Sequence, residues 1–241
     1  MPAEKYTAIY NDLKQKIEEG LYAPQSVLPS ENILTTRYGV SRNTVRRAIA
    51  KLADESYVQS IHGKGVIVIY RKAEANVFSF DVIESMKEAA ARNNREYHTK
   101  VIHFTTFTVD EYLARKTGFA IGEEVYYIQR VRYFDDVAMI LDNNWFLTRV
   151  VPGLTKKIAE KSVYEYLENV VGDTIVTTRR TLTVEKITEI DEKYLELVDC
   201  GAMAVVTSET YNAAGEMFED TQSRHRPDMF AFYSVARRRN K

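Results

Sequence analysis

Cysteine is nearly missing from this sequence: Cys200 is the only one in 241 residues. A single thiol excludes an internal disulfide, and with it the cross-linked scaffold of small secreted domains, and it fits a reducing compartment. Histidine is scarce as well. His62, His98, His103 and His225 show no zinc-like spacing and have no cysteine cluster beside them, so no structural metal and no cofactor is expected. No stretch approaches the roughly 18 apolar residues of a membrane helix. Met1 to Gly20 is amphipathic and polar, unlike a signal peptide, so the expected location is the cytoplasm, with no membrane partner. Net charge is close to nil, at −1. What remains is ordinary for a globular protein, 45% hydrophobic and 28% charged, with length for one or two domains.

The small net charge hides an uneven distribution. Residues 1–72 carry 11 Lys/Arg against 7 Asp/Glu, a net of +4, and the rest carries 22 against 27, a net of −5. Within residues 31–72 there are 8 basic and 3 acidic side chains, a local patch suited to phosphate contact.

That patch has a helical frame. Tyr6, Ile9, Tyr10, Leu13 and Ile17 recur at helical spacing up to Gly20. "LPSENILTTRYGV" predicts a second helix with Ser30 as N-cap and Gly39 at its end. Ser41 caps a third, whose apolar face is Val45, Ala48, Ile49 and Leu52, while Arg42, Asn43, Arg46 and Arg47 lie off that face. The period then drops to two in "YVQSIH" and "VIVIY", joined by "GKG", which predicts a β-hairpin with Lys64 at its tip. Three short helices and a two-stranded wing make a winged helix-turn-helix, whose third helix can enter a major groove. A solvated face on an ordinary helical domain is the competing explanation of the arginines. The glycine-flanked lysine lacks the longer glycine spacing and Lys-Ser/Thr ending of a nucleotide-binding P-loop.

"LPSE", "YGVSRNTVRRAIAKL" and "IHGKGVIV" resemble the DNA-binding domain of the GntR family of bacterial transcriptional regulators over residues 5–70. The resemblance implies double-stranded operator DNA as partner, with contacts from Ser41, Arg42, Thr44 and Arg46, and from His62, Gly63 and Lys64 at the wing. Many members carry arginine directly after the "PSE" element, where this chain has Asn32.

"YRKAEANV" is polar and aperiodic, and separates a domain at 1–70 from one at 78–241, with 71–77 as linker. Beyond it come a helix in "DVIESMKEAAARN" and an alternating strand in "HTKVIHFTTFTV". A helix-then-hairpin pattern follows twice. "DEYLARKTG" precedes strands in "EVYYIQRVRYF" and "VAMILDNNWF", with a turn at Asp135–Asp136. "DEKYLELVDCG" precedes strands in "AMAVVTSETYN" and "EMFEDTQSRH", with a turn at Ala214–Gly215. The two units can share one antiparallel sheet with pseudo-symmetry. With strands added from "TIVTTRRTLTVEKI" and "MFAFYSVARR", the fold class is α+β with a sheet of about six strands.

Arg130 and Arg132 stand two apart on one predicted strand and so share a face. Two like charges there need either a bound anion or cross-strand ion pairs, for which Asp142 and Glu219 are the obvious partners. Ser162 and Glu165 have capping-box spacing, and a helix start can also receive a phosphate. No Ser-His-Asp ordering, thiol with a placed base or ligand cluster is present, so no catalytic residue is assigned and no enzyme is expected.

This half resembles the HutC-like branch of the GntR family, whose effector domain, called UTRA, has a chorismate-lyase-like fold. The resemblance implies a small-molecule effector, usually a phosphorylated sugar or a small polar metabolite, held by Arg130, Arg132, Asp142, Ser162, Tyr164, Glu219 and His225, and the chain is expected to be a homodimeric repressor. The branch often has glutamate in place of Asp142 and tyrosine in place of His225. "FSFDVIESMKEAAARNN" and "SRHRPDMFAFYSVARRR" are similar to the subgroup that controls trehalose operons, which implies trehalose 6-phosphate. N-acetylglucosamine 6-phosphate, an organic acid, or an enzyme of the chorismate-lyase type are the alternatives.

Overall fold

A computed structural model describes residues 2–71, 77–79, 83–197 and 199–233. The chain divides into two compact units, one running from Met1 to Glu74 and one spanning Ala75–Ser234. Most of the expected linker lies outside the described residues.

The N-terminal unit has three helices, α1 (Pro2–Glu18), α2 (Glu31–Tyr38) and α3 (Arg42–Asp54), and a hairpin of β1 (Val58–Ile61) and β2 (Gly65–Val68). Short polar residues set the boundaries. The Ser30 side chain accepts from Ile33 N, the Ser41 side chain from Thr44 N, and Gly39 ends α2 in the left-handed region at φ 61°. Ile9, Leu13 and Ile17 of α1 pack with Leu34 of α2 and with Val45, Ala48, Ile49 and Leu52 of α3. That interior forces the polar side of α3 outward. The hairpin is anchored by Val58 and Val68 in the same core, and Leu28 N donates to Val66 O at 2.8 Å.

The C-terminal unit begins with β3 (Val77–Ser79), α4 (Met86–Arg92), β4 (Tyr97–Thr108), α5 (Glu111–Thr117), β5 (Glu124–Phe134) and β6 (Val137–Leu147). It continues with α6 (Lys156–Ala159), α7 (Val163–Tyr166) running into a π turn, β7 (Ile175–Lys186), α8 (Glu189–Tyr194), β8 (Ala202–Asn212), β9 (Met217–His225) and β10 (Ala231–Tyr233). Six strands form one sheet in the order β4-β5-β6-β9-β8-β7, and all its pairs are antiparallel. The order reads alike from both ends. β4-α5-β5-β6 and β7-α8-β8-β9 are the two repeats, joined through β6 and β9.

One expected strand falls elsewhere. β10 does not enter the six-stranded sheet but pairs in parallel with β3. Pro227 opens a 3-10 turn directly after β9, and a residue without an N–H cannot continue the ladder there. β4 supplies the sixth strand instead.

Alternation along the strands separates two apolar layers. Ile128 and Phe146 pack with Val163 and Leu167 of the α6–α7 region. Val131, which alternates with Arg130 and Arg132, packs on the other face with Leu141, Val205 and Leu195 beside α8. The arginines therefore face the α6–α7 side. Among the described residues no helix is long and apolar enough to cross a membrane.

Candidate functional site

The outward face of α3 carries the residues expected to meet DNA. Arg42, Asn43, Arg46 and Arg47 are exposed, while Val45, Ala48, Ile49 and Leu52 are buried. Ser41 and Thr44 are engaged with each other: their hydroxyls lie 2.9 Å apart, and the Ser41 oxygen caps the helix. Two arginines are held by neighbouring helices. Arg46 Nε donates to both carboxylate oxygens of Glu31, at 2.9 and 3.0 Å, and the Arg47 guanidinium sits 4.3 Å from the centre of the Tyr6 ring. His62, Gly63 and Lys64 are exposed at the tip of the hairpin. Gly63 and Gly65 flank the lysine with φ of 77° and 96°, a conformation that favours glycine. A Cβ added at Gly65 would come within 3.1 Å of Val27 Cγ1. Asn32 is exposed on α2, and its carbonyl accepts from the hydroxyls of Thr35 and Thr36.

In the C-terminal unit, Arg130, Arg132, Asp142, Ser162, Tyr164, Glu219 and His225 all line one cavity of about 130 Å³. The sheet makes its floor, and α4 and the start of α7 supply walls. The hairpin behind it is set by Asp135 and Asp136, both at positive φ (49° and 60°), as a two-residue turn between right-twisted strands requires.

Both arginines lean the same way across the β5–β6 ladder. Arg130 stands opposite Asp142, and Arg132 opposite Ile140. Yet Arg132 Nε donates to Asp142 Oδ2 at 2.7 Å, and Arg130 Nε to Asn144 Oδ1 at 2.8 Å, so each reaches the diagonal neighbour. The outcome differs because the residues reached differ. Arg132 is paired with a carboxylate and also donates to Tyr97 and Thr99. Arg130 donates to the Asn144 and Ala159 oxygens, both neutral, and among the described residues no carboxylate forms a salt bridge with it. Burial, then the charge of Arg132, pushes Arg130 down to about 10, which leaves it protonated at neutral pH.

The expected pairing of these arginines with two acids thus holds for Asp142 and not for Glu219. Glu219 stands opposite Phe146 on β6, beyond the reach of that diagonal, and accepts instead from the hydroxyls of Tyr164 and Thr221, each at 2.7 Å. Burial and the Glu219 charge hold Tyr164 well above the usual phenol range, so its hydroxyl remains a donor. Ser162 caps α7 by accepting from Glu165 N at 3.2 Å, while the Glu165 carboxylate pairs with Lys87 at 2.9 Å rather than returning to the cap. His225 is buried with its ring 4.7 Å from that of Phe230, and burial lowers it to about 4, so it is neutral.

Sequence reasoning missed Tyr97, Asn144, Arg180, Thr221 and Ser223, which line the same cavity. Asn144 is two residues from Asp142 and Thr221 two from Glu219, so period-two alternation alone places each beside a residue already singled out. Arg180 arrives through the strand order, which local spacing does not give.

Comparison with known proteins agrees with both units. Residues 5–68 match the model of the gntR family of bacterial regulatory proteins, and residues 92–231 match the UTRA domain. The HTH-type transcriptional regulator TreR of Bacillus subtilis (strain 168) is 36% identical over 238 residues, covering 99% of each chain. The effector-binding domain of the B. subtilis trehalose repressor superposes with TM-score 0.53 at 31% identity, over 59% of this chain and 99% of that one. YydK from B. subtilis subsp. subtilis str. 168, a possible transcriptional regulator, shares the fold with TM-score 0.80 at 21% identity, over 97% and 99%. With a gntR helix-turn-helix before a UTRA domain and a full-length relative above 30% identity, this chain belongs to the gntR family of bacterial transcriptional regulators.

Proposed function

We propose that this regulator is a homodimeric repressor that leaves its operator when a sugar phosphate fills the cavity of the C-terminal unit, and that the sugar phosphate is trehalose 6-phosphate. In this reading residues 1–70 read DNA, and residues 78–241 bind the effector and form the dimer. The observation that carries the anion is charge. Five basic and three acidic side chains line the cavity, a net of +2 with His225 neutral, and Arg130 donates to neutral acceptors. A phosphate monoester carries about −1.5 to −2 at neutral pH, and guanidinium groups match its oxygens. Hydroxyls of Ser162, Tyr164, Ser208, Thr221 and Ser223, interleaved with Phe146 and Val206, suit a sugar. The similarity to the trehalose repressor supports the disaccharide.

On DNA, Arg42, Asn43, Thr44, Arg46 and Arg47 approach the major groove from α3, and His62, Gly63 and Lys64 touch the backbone or minor groove from the wing. A dimer places two such helices on a palindrome about one turn apart, or a multiple of it. Moving the population from bound to free calls for about 5.5 kcal/mol of differential effector affinity, and phosphate–arginine bonds in a desolvated site are a source of that size.

The test is to enrich a duplex from a random-sequence library with the full chain, then follow its release by fluorescence anisotropy. Trehalose 6-phosphate is expected to release it, and trehalose, which lacks the charge, to do far less. Release by N-acetylglucosamine 6-phosphate alone would reassign the effector. A chain that sediments as a monomer in every state would end the dimer reading.

A further inference from the structure

Arg130 begins a buried row in which each hydrogen bond fixes the next. Its Nε donates to Asn144 Oδ1 at 2.8 Å, and Asn144 Nδ2 donates to Thr221 Oγ1 at 2.7 Å. The Thr221 hydroxyl donates to Glu219 Oε1 at 2.7 Å, and Glu219 Oε2 accepts from the Tyr164 hydroxyl at 2.7 Å. Arg130, Asn144, Thr221 and Glu219 are 4%, 1%, 7% and 4% exposed. The polarity of the row is set from the Arg130 end. A guanidinium offers only donors, and a hydroxyl that accepts from the amide has its one proton left for the carboxylate. The amide between them must turn its oxygen to Arg130 and its nitrogen to Thr221, and the threonine proton must point at Glu219.

One step along the same strands, Arg132 makes the same diagonal reach and lands on a carboxylate, Asp142. Position 144 is the corresponding place for Arg130, and it holds an amide of nearly the same shape. An acid there would be the ordinary partner for a buried arginine, since removing a cation from water is costly unless an anion meets it. Asn144 satisfies one N–H of Arg130 without cancelling its charge.

From this we infer that Asn144 is the charge-selecting residue of the cavity: it meets Arg130 with a neutral amide in place of a bonded carboxylate and thereby selects a dianionic group over a neutral one. Thr221 is a positioning residue that keeps the amide oxygen toward Arg130. The inference deepens the sugar-phosphate reading and rests on that cavity being the effector site. Nothing in it depends on which sugar carries the phosphate.

Two variants of the full chain test it, Asn144→Asp and Thr221→Val. Aspartate keeps the oxygen that Arg130 Nε uses and lowers the cavity charge by one. Calorimetric titration at pH 8 with trehalose 6-phosphate and N-acetylglucosamine 6-phosphate should show Asn144→Asp weakening the phosphate that the wild type binds by tenfold or more. Binding of its uncharged parent sugar should change less than threefold. Thr221→Val, with the amide held from the Arg130 end alone, should weaken the same phosphate by severalfold. Sulfate supplies charge without sugar: it should raise the melting temperature of the wild type and not that of Asn144→Asp.

If Asn144→Asp leaves the phosphate-to-sugar preference intact, the inference fails whether or not sugar phosphates are the effectors. It also fails if Thr221→Val binds as the wild type does. If sulfate protection is lost in Asn144→Asp while no sugar phosphate binds the wild type, the charge-selecting role stands and the sugar-phosphate reading falls.

Discussion

Arg132 Nε lies 2.7 Å from Asp142 Oδ2 with both side chains almost wholly shielded from solvent, while Arg130, on the same strand face, has no such partner among the described residues. The two arginines therefore have different consequences when removed. Arg132→Ala leaves Asp142 as a buried carboxylate without its cation, a loss of about 3–5 kcal/mol. Its melting temperature should drop sharply. Arg130→Ala removes a charge that makes no salt bridge among the described residues, so melting should change less, while effector affinity should fall tenfold or more through the loss of a charge-assisted bond worth about 1.5–3 kcal/mol. Thermal melting beside effector titration separates them. Equal destabilisation by both, with the effector response intact in Arg130→Ala, would make Arg130 structural.

Glu31 holds Arg46 from the neighbouring helix, with both of its oxygens at Nε, and among the described residues the terminal nitrogens of the guanidinium make no hydrogen bond. A side chain already held in place loses less freedom when it meets a base edge. Glu31→Gln should tighten binding to random duplex, because an anion beside DNA is gone, and should reduce preference for the enriched operator severalfold. The salt dependence should steepen by about one unit if the released arginine takes a phosphate. The readout is the ratio of operator to scrambled-duplex affinity across salt. An unchanged ratio would reduce Glu31 to a general electrostatic brake.

At the wing, Lys64→Ala should weaken binding to all sequences and lower the salt slope by roughly one unit, as for a lost phosphate contact. Gly65→Ala should be worse for DNA binding, because the residue sits at φ 96° and the added methyl meets Val27 Cγ1 at 3.1 Å. The strain is about 1–3 kcal/mol and displaces the strand that presents the lysine. Effector titration of the same proteins should be unaffected. A Lys64→Ala effect confined to one base pair would show sequence reading instead.

The N-terminal unit was legible because its signals are local. The apolar positions of α3 recur every three or four residues, and Ser41 precedes them in the chain, so face and cap follow from spacing alone. The shared face of Arg130 and Arg132 was legible for the same reason, as was the Asp135–Asp136 turn that brings Asp142 close. Spacing could not tell which acid each arginine meets. That depends on a diagonal lean across β5 and β6, and on β9 lying next to β6, a neighbour some eighty residues away in sequence. Arg180 was missed because β7 reaches the cavity only through β8 and β9. The misplaced C-terminal strand had the right alternation, and Pro227 rather than any lack of strand pattern directs it away from the sheet.

His225 and Asp220 should oppose each other in the acid range and conceal one another in the wild type. Burial lowers His225 from 6.5 to about 4, so as pH falls the unfolded chain takes the proton first. That loses stability from about pH 6.5 downward, at about 1.4 kcal/mol per pH unit. Asp220 runs the other way. Burial, then Glu209 and Glu219, raise it from 3.8 to about 7, so the folded chain takes the proton first and gains stability as pH falls from about 7 toward 4. The depressed carboxyl of Asp142 keeps its contribution until below about pH 4, outside this window. Between roughly pH 6.5 and 4 the two slopes nearly cancel. Asp220→Asn should therefore raise the melting temperature at pH 8, where the buried charge costs most, and expose a fall on acidification from 6.5 to 4.5. His225→Phe should do the reverse, with melting that climbs as pH drops from 8 to 5. Melting curves at half-unit pH steps for the three proteins decide the matter. Variants whose pH profiles run parallel to that of the wild type would show that neither group titrates inside the folded protein in this range.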